Sequence, residues 1–379
     1  MKLLHTSDWH LGRTLHGVAL LDHQRQFLEW LVGLARAERV DAVLVAGDVY
    51  DRAVPPTDAV TLLDDALAAF VAAGIPIMLT SGNHDSAIRL GYGRRLTAAA
   101  GVHLRTGIDE LTEPLLLRDD AGDLAVYGIP YLLPDAVMDQ LGAERSHTSV
   151  LTAAVEQIKA DAASRGISRT VALAHAFVTG AVASESERDI RVGGIGDAPA
   201  SVFAGLSYAA LGHLHGSQEL APGVAYSGSP LAFSFSEKSH TKSVRLVEID
   251  AAGVATTSLM PTPVPRPLRE VRGRLAELLA RDDDSLAGAW VKAVLTDPSR
   301  PMDPMGRLRE RWPHTIVLDF APEAELVDAP ADLRRAAETS DPVEMCAHFV
   351  EWVDSTLPHD THLRTLNSVV EAVRRAESA

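Results

Sequence analysis

Hydrophobic and polar positions along the first part of the chain switch between two periods. Residues 2–7 form a short, largely apolar run that leads into Asp8-Trp9-His10. Between residues 21 and 37, Phe27, Leu28, Leu31 and Leu34 recur at helical spacing, whereas residues 40–46 are a β-branched and apolar run, interrupted at Asp41 alone, that ends in Gly47-Asp48. The rhythm repeats as a helix over residues 57–73 and a strand over 75–80 that ends in Ser81-Gly82-Asn83-His84-Asp85. Strands alternating with helices predict an α/β layered fold. Two more apolar runs, 171–174 and 208–211, each end at a histidine motif. Every polar cluster therefore follows the C-terminal end of a strand, where open α/β sheets gather their ligands. Residues 223–250 read as antiparallel strands and a turn, which predicts a second sheet packed on the first.

From Pro261 to Pro267 every second residue is proline, a pattern that favours an extended spacer over helix or central strand. The expected division is a main domain over 1–262, a smaller α+β domain over 268–330 and terminal helices over 331–379. In the smaller domain the pattern predicts helices near 275–280 and 305–312 and strands at 290–295 and 315–320. Leu363, Leu366, Val370 and Val373 recur at three- and four-residue steps, as do Val343, Cys346, Ala347, Val350 and Val353, so both stretches read as amphipathic helices. No repeat of 20–50 residues is visible, which closes the solenoid option.

Composition narrows the chemistry. The chain has 379 residues, 46% hydrophobic and 23% charged, as in an ordinary globular protein of more than one domain. Its single cysteine, Cys346, excludes an intramolecular disulfide and a thiolate-rich cluster, so a metal would be held by His, Asp, Glu or Asn. Neither a leader's apolar stretch nor an unbroken apolar run of about 18 residues is present, and a cytoplasmic protein is expected. The formal charge of -16 argues against binding nucleic acid through bulk positive charge, yet divalent cations beside local carboxylates leave a nuclease possible. Arg300, Arg307, Arg309 and Arg311 form a locally basic stretch, read first as a solvated helix face and second as a DNA-backbone contact.

The strand-end clusters carry the candidate chemistry. Asp8 and His10 lie two residues apart, so in an extended segment they face the same side. Gly47-Asp48 alone could be a helix or turn start. Gly82-Asn83-His84 offers a sharp turn, a neutral carbonyl ligand and a candidate acid. His175 alone reads best as a core histidine, whereas His213 and His215 repeat the spacing of the first pair. Taken together, five strand ends supply enough oxygen and imidazole ligands for two ions, and Asp48 is the natural bridge between cations about 3.5–4 Å apart. His5, His16, His23, His103 and His147 read as structural or surface residues. Gly193-Gly194-Ile195-Gly196 lacks the Gly-Lys-Ser/Thr of a phosphate-cradling loop, so ATP hydrolysis by this chain alone is not expected.

The order Asp-x-His, Gly-Asp, Gly-Asn-His-Asp, His and Gly-His-x-His resembles the calcineurin-like metallophosphoesterase superfamily. Within it, residues 6–12, 45–51 and 184–188 look like its bacterial nuclease branch, a match that covers roughly residues 1–250. That resemblance implies a four-layer α/β/β/α sandwich with an α+β domain that caps DNA. It implies that Asp8, His10, Asp48 and His215 hold one ion and Asp48, Asn83, His175 and His213 the other, with manganese favoured over magnesium. His84 matches the family's catalytic histidine and would act as general acid, with Asp85 orienting it. Asp51 stands where archaeal relatives place a histidine, and its role is left open. The resemblance further implies a double-strand exonuclease and single-strand endonuclease that cleaves hairpins in DNA repair, recombination and replication. Its partners would be DNA and an SbcC-type coiled-coil ATPase docked on the terminal helices, with the chain a homodimer inside a heterotetramer. The rival readings are a phosphodiesterase acting on nucleotides or other small diesters, and a non-catalytic scaffold for the ATPase.

Overall fold

The computed structural model of the chain describes residues 1–187, 197–322, 341–354 and 359–377. Arg188, the Gly193–Gly196 segment and residues 331–340 of the expected terminal helices lie outside them. Strand β1 (Lys2–Thr6) opens the chain, followed by a short hairpin of β2 (Thr14–Leu15) and β3 (Val18–Ala19), then helix α1 (Leu21–Glu38). Next come β4 (Ala42–Ala46), helix α2 (Thr57–Ala73), β5 (Ile77–Thr80) and β6 (Val102–Arg105). The second run comprises β7 (Leu115–Asp119), β8 (Gly122–Ile129), a helix over His147–Ser164, β9 (Arg169–His175), β10 (Tyr208–Gly212), β11 (Gln218–Ala221) and β12 (Val224–Tyr226). Strands β13 (Ser243–Ile249) and β14 (Ala255–Pro261) follow.

These strands form two six-stranded sheets, ordered β14-β13-β1-β4-β5-β6 and β11-β12-β10-β9-β8-β7. The central pairs β1/β4, β4/β5 and β9/β10 are parallel, so their C-terminal ends emerge on one edge of each sheet. For residues 223–250 the antiparallel pairing is present, β12 with β11 and β13 with β1 and β14, but the two strands lie in different sheets and β12 also runs parallel to β10, which corrects the expectation of a single second sheet. Both strands are apolar enough to be buried in either sheet, so their pattern does not encode the partner.

Three clusters of buried side chains bind the layers. Leu3, Leu44 and Met78 of the first sheet meet Leu124, Val171, Leu173 and Tyr208 of the second. Phe27, Leu31, Leu62 and Phe70 of α1 and α2 cover the outer face of the first sheet. Val150, Leu151, Val155 and Ile158 of the 147–164 helix cover that of the second. The order is helices, sheet, sheet, helices, as the resemblance implied.

Two compact units emerge. The first takes in residues 1–271, 282–293 and 305–318, and the second residues 272–281, 294–304 and 319–379. Strands β15 (Leu268–Gly273), β16 (Trp290–Leu295) and β17 (Thr315–Phe320) form a three-stranded sheet. In the first unit, Leu268, Trp290, Ile316 and Val317 pack with Leu15, Leu20, Leu231, Phe233 and Phe235. Arg309 donates to the Thr315 carbonyl at 3.0 Å and Arg311 lies 3.6 Å from Asp284, so two arginines of the basic stretch hold local structure. In the second unit, helices over Pro342–Asp354 and Asp360–Glu377 follow the two amphipathic stretches. Among the described residues no helix is long and apolar enough to cross a membrane.

His5 illustrates how the core treats a titratable group. It is fully buried, with Nδ1 2.9 Å from the Tyr208 hydroxyl and Nε2 3.1 Å from the Leu211 carbonyl. Burial, with the Arg245 charge second, pushes its pKa down to about 3. The unfolded chain therefore binds a proton below about pH 6.5 that the folded chain does not, and His5 withdraws about 1.4 kcal/mol of stability per pH unit as pH falls from there towards 3. Urea unfolding at pH 6.5, 5.5 and 4.5 checks this: His5→Gln should show a shallower decline than the parent, and parallel curves would refute it.

Candidate metal centre

Five strand ends converge on one cluster. Asp8 and His10 follow β1, Asp48 follows β4, Asn83 and His84 follow β5, His175 ends β9, and His213 and His215 follow β10. All seven predicted ligands and His84 are brought together. Oxygen and nitrogen atoms of Asp8, His10 and His215 lie within 4.8 Å of one another, as do those of His10, Asp48 and His84, and those of Asp8, Asp48 and His175.

The way Asp8 and His10 meet differs from the extended geometry that their spacing suggested. β1 ends at Thr6, and both residues adopt left-handed backbone, with φ of 53° and 45°. Asp48 at 47° and His213 at 109° do the same. A non-glycine residue there costs about 1–3 kcal/mol, comparable with what burying one leucine contributes. Neighbouring loops hold the strain: Asp8 N–H donates to Gly47 O at 3.1 Å and His10 N–H to Asp48 O at 2.9 Å. Space also restricts the loops. A Cβ on Gly82 would sit 2.1 Å from Asp48 Oδ1, and one on Gly212 would sit 1.7 Å from Ala46 O. Gly82 is thus required for close approach, and the sharp turn expected of it is not its reason.

Hydrogen bonds fix which lone pairs face inward. His175 Nδ1 donates to the Ala46 carbonyl at 3.0 Å, which leaves a bare Nε2 lone pair 2.9 Å from Asn83 Oδ1 and 3.4 Å from Asp48 Oδ2. His213 Nδ1 is 3.2 Å from the same Asn83 oxygen. On the other side, His10 Nε2 faces His215 Nε2 at 3.2 Å and Asp48 Oδ2 at 3.6 Å. His175 Nε2 is thus an acceptor packed against the oxygens of Asn83 and Asp48, which repel it unless a cation lies between them, so this donor set fits divalent ions.

Electrostatics agrees. Burial, reinforced by the Asp48 charge, pushes Asp8 well above the usual carboxylate range, and burial raises Asp48 as well. His10 and His213 are held well below the ordinary imidazole value, first by burial and then by neighbouring histidines, and burial lowers His175 to about 4. Clustered carboxylates resist ionisation while the imidazoles stay neutral, the balance that bound cations reverse for the acids and exploit for the histidines.

His84 sits at the rim, its ring 4.7 Å from that of His10. Its N–H donates to Asp48 Oδ1 at 2.9 Å and its Nδ1 to the Asp51 carbonyl at 2.8 Å, which makes Nε2 the nitrogen to exchange a proton with a substrate. Asp85 takes a different part from the one expected. Its carboxylate accepts the backbone N–H groups of Val49, Tyr50 and Gly82 at 3.0, 2.8 and 2.9 Å, tying the β4 and β5 loops together. Asp51 backs His10, with Oδ1 3.5 Å from Nδ1, and lies 3.6 Å from the Arg13 guanidinium.

Several contributors escaped the sequence reading. Arg13 stacks on Phe233 at 4.8 Å, and the Phe233 ring packs against both His10 and His215. Glu187, Glu237 and Lys242 gather around His215. Glu237 and Lys242 stand in a polar stretch, 234–242, that looks like solvated surface, and only their near-complete burial distinguishes them.

Residues 1–217 match the family model described as calcineurin-like phosphoesterase. Residues 264–353 match that of the type 5 capsule protein repressor C-terminal domain. Over 307 residues the chain is 38% identical to a protein of Rhodobacter capsulatus named as a subunit of the nuclease SbcCD, with 75% of each chain covered. Over 324 residues it is 28% identical to a Staphylococcus saprophyticus protein of the same name, with 84% of each covered.

Proposed function

The chain belongs to the calcineurin-like phosphoesterase family, and on that premise we propose that it is a metal-dependent DNA nuclease subunit working with an SbcC-type ATPase. The observation that carries the chemistry is the convergence of seven oxygen and nitrogen donors, several with lone pairs face to face, from five strand ends. A nuclease activity and a place in a complex rest on the two relatives named as a subunit of the nuclease SbcCD, while DNA as substrate and an ATPase as partner rest on the family resemblance.

In this reading Asp8, His10, Asp48 and His215 hold one divalent ion, and Asp48, Asn83, His175 and His213 the other. Manganese is the ion that the family resemblance implies, with magnesium as the alternative, and the mixed imidazole and carboxylate set accommodates divalent first-row ions in general. When bound, the ions supply an activated water and neutralise charge on the phosphoryl oxygens. His84 gives a proton to the leaving oxygen through Nε2, while its Nδ1 stays anchored on Asp51. Asp85 and Gly82 keep the β4 and β5 loops close enough for Asp48 and Asn83 to face the ion they share.

The proposal extends to the rest of the chain. It makes residues 1–262 the nuclease domain, residues 268–330 a DNA-capping domain, and residues 331–379 the ATPase-binding helices. Met345, Phe349, Val369 and Val373, 44–54% exposed, are large apolar groups left to solvent on the two described helices, as a docking face requires. A homodimer within a heterotetramer, in the cytoplasm, completes the reading.

Incubating the purified chain and Mn2+ with end-labelled linear duplex and hairpin DNA, with and without the ATPase, tests it. Cleavage of both substrates is expected. Hydrolysis of a small chromogenic phosphodiester with DNA left intact, ATPase present, would move the assignment to small diesters; no hydrolysis of either would favour a scaffold.

A further inference from the structure

Behind His215 lies a buried polar assembly that the reaction does not use directly. Glu237 is 1% exposed, Lys242 4% and His215 1%. A glutamate and a lysine shut inside a protein lose several kcal/mol of hydration each, and a well-packed apolar pair would fill the same space at less cost. Their arrangement therefore calls for a role beyond stability.

Each polar atom has a defined partner. The Ser186 hydroxyl is 2.7 Å from His215 Nδ1 and donates to Glu237 Oε1, which itself lies 3.2 Å from Nδ1. Glu237 Oε1 also accepts the Phe233 N–H at 3.2 Å. The Lys242 ammonium spends its three donors on Glu237 Oε2, on the His215 carbonyl at 2.9 Å and on Ser229 Oγ at 3.0 Å. Lys242 thus grips both the backbone of His215 and the carboxylate behind its ring. Glu187 adds a third hold, accepting the His215 N–H at 2.8 Å.

The directions of these bonds determine a tautomer. The Glu237 carboxylate beside Nδ1 can only accept, and the Ser186 hydroxyl, whose hydrogen has Glu237 and the Ser184 oxygen as acceptors, is left to accept from His215 Nδ1. His215 must then carry its proton on Nδ1 and present a bare Nε2 towards His10 and Asp8. By contrast, His175 is backed by a neutral carbonyl, that of Ala46. A carboxylate behind the ring raises the basicity of the inward nitrogen more than a carbonyl does.

We propose that Glu237, clamped by Lys242 and relayed through Ser186, is a positioning residue that fixes the orientation and tautomer of His215 for the ion shared with Asp8 and His10. This rests on His215 being a ligand. Glu237→Gln cannot reproduce the arrangement: a side-chain amide that accepts from His215 turns its NH2 towards the Lys242 ammonium, and the reverse placement sets a donor against Nδ1–H. Glu237→Gln/Lys242→Met removes both buried charges together and so separates a role in folding from one in positioning.

The test combines two measurements on the full chain. In the metal-free parent, long-range nitrogen–proton NMR of labelled histidine should find His215 protonated on Nδ1, and protonation on Nε2 overturns the proposal. Calorimetric titration with Mn2+ should find two ions in the parent. In the single and double variants one ion should bind about 10- to 100-fold more weakly with the other unchanged. A double variant that unfolds at the parent's temperature and keeps both affinities refutes the positioning role alone. A parent that takes up no Mn2+ removes the ligand assignment, and the proposal with it.

Discussion

Asp48→Asn should lower phosphodiester hydrolysis by roughly 10^3-fold or more, the scale of losing several kcal/mol of transition-state charge stabilisation. One oxygen of Asp48, Oδ2, lies near imidazoles from both sheets, 3.6 Å from His10 Nε2 and 3.4 Å from His175 Nε2. Asparagine keeps the shape and can still accept the His84 N–H bond made to Oδ1 at 2.9 Å. It removes the negative charge both ions share, so both should bind more weakly. Counting bound manganese by elemental analysis after gel filtration, beside a cleavage assay, checks this. An asparagine variant with two ions and more than a tenth of the parent rate would remove Asp48 from the bridging position.

His84→Gln should leave metal content at the parent level and lower the cleavage rate by about 10^2- to 10^4-fold, the usual contribution of a positioned acid. The expectation follows from its place at the rim, beside His10 and Asp48 without a position between the two imidazole sets. Its Nδ1 is occupied by the Asp51 carbonyl, so Nε2 is the nitrogen that changes protonation. An acid must be protonated before the step, so the parent rate should fall on the alkaline limb of its pH profile. In the variant that limb should flatten. A leaving group of low pKa needs no proton, and with such a diester the variant should recover most of the lost rate; equal losses on good and poor leaving groups would refute the acid role. Together with Asp48→Asn, this separates holding the ions from moving the proton.

Much of this site was legible along the chain because its donors stand at the ends of short apolar runs. A strand end is a local event: the run 42–46 is uniformly apolar, it stops at Gly47-Asp48, and Asp48 must lie at the rim of a sheet. The same holds for Asn83, His175 and His213. Helix α2 and the strands at 290–295 and 315–320 were equally readable, since their periodicity follows from burying one face. Partnership was different. β12 and β13 are both short buried strands, and nothing within either specifies that they join different sheets.

What the sequence determined by itself was the inventory: one cysteine, seven metal-type donors in a fixed order, an acid candidate beside Asn83, and the alternation of strand and helix. These depend on residue identity and on neighbours a few positions away. Tertiary structure decided the rest. It placed Asp8, His10, Asp48 and His213 in left-handed backbone, turned Asp85 from His84's expected partner into a clamp on three backbone amides, and buried Glu237 and Lys242 behind His215. The reason is physical. Strain at a residue persists only where distant loops over-determine its conformation, and a charged side chain becomes internal only when the folded chain satisfies all of its polar atoms, here with His215 as well as the nearby Lys242. Neither condition leaves a local trace, so a glutamate in a serine-rich polar stretch reads as surface until the histidine it supports, 22 residues earlier, is seen beside it.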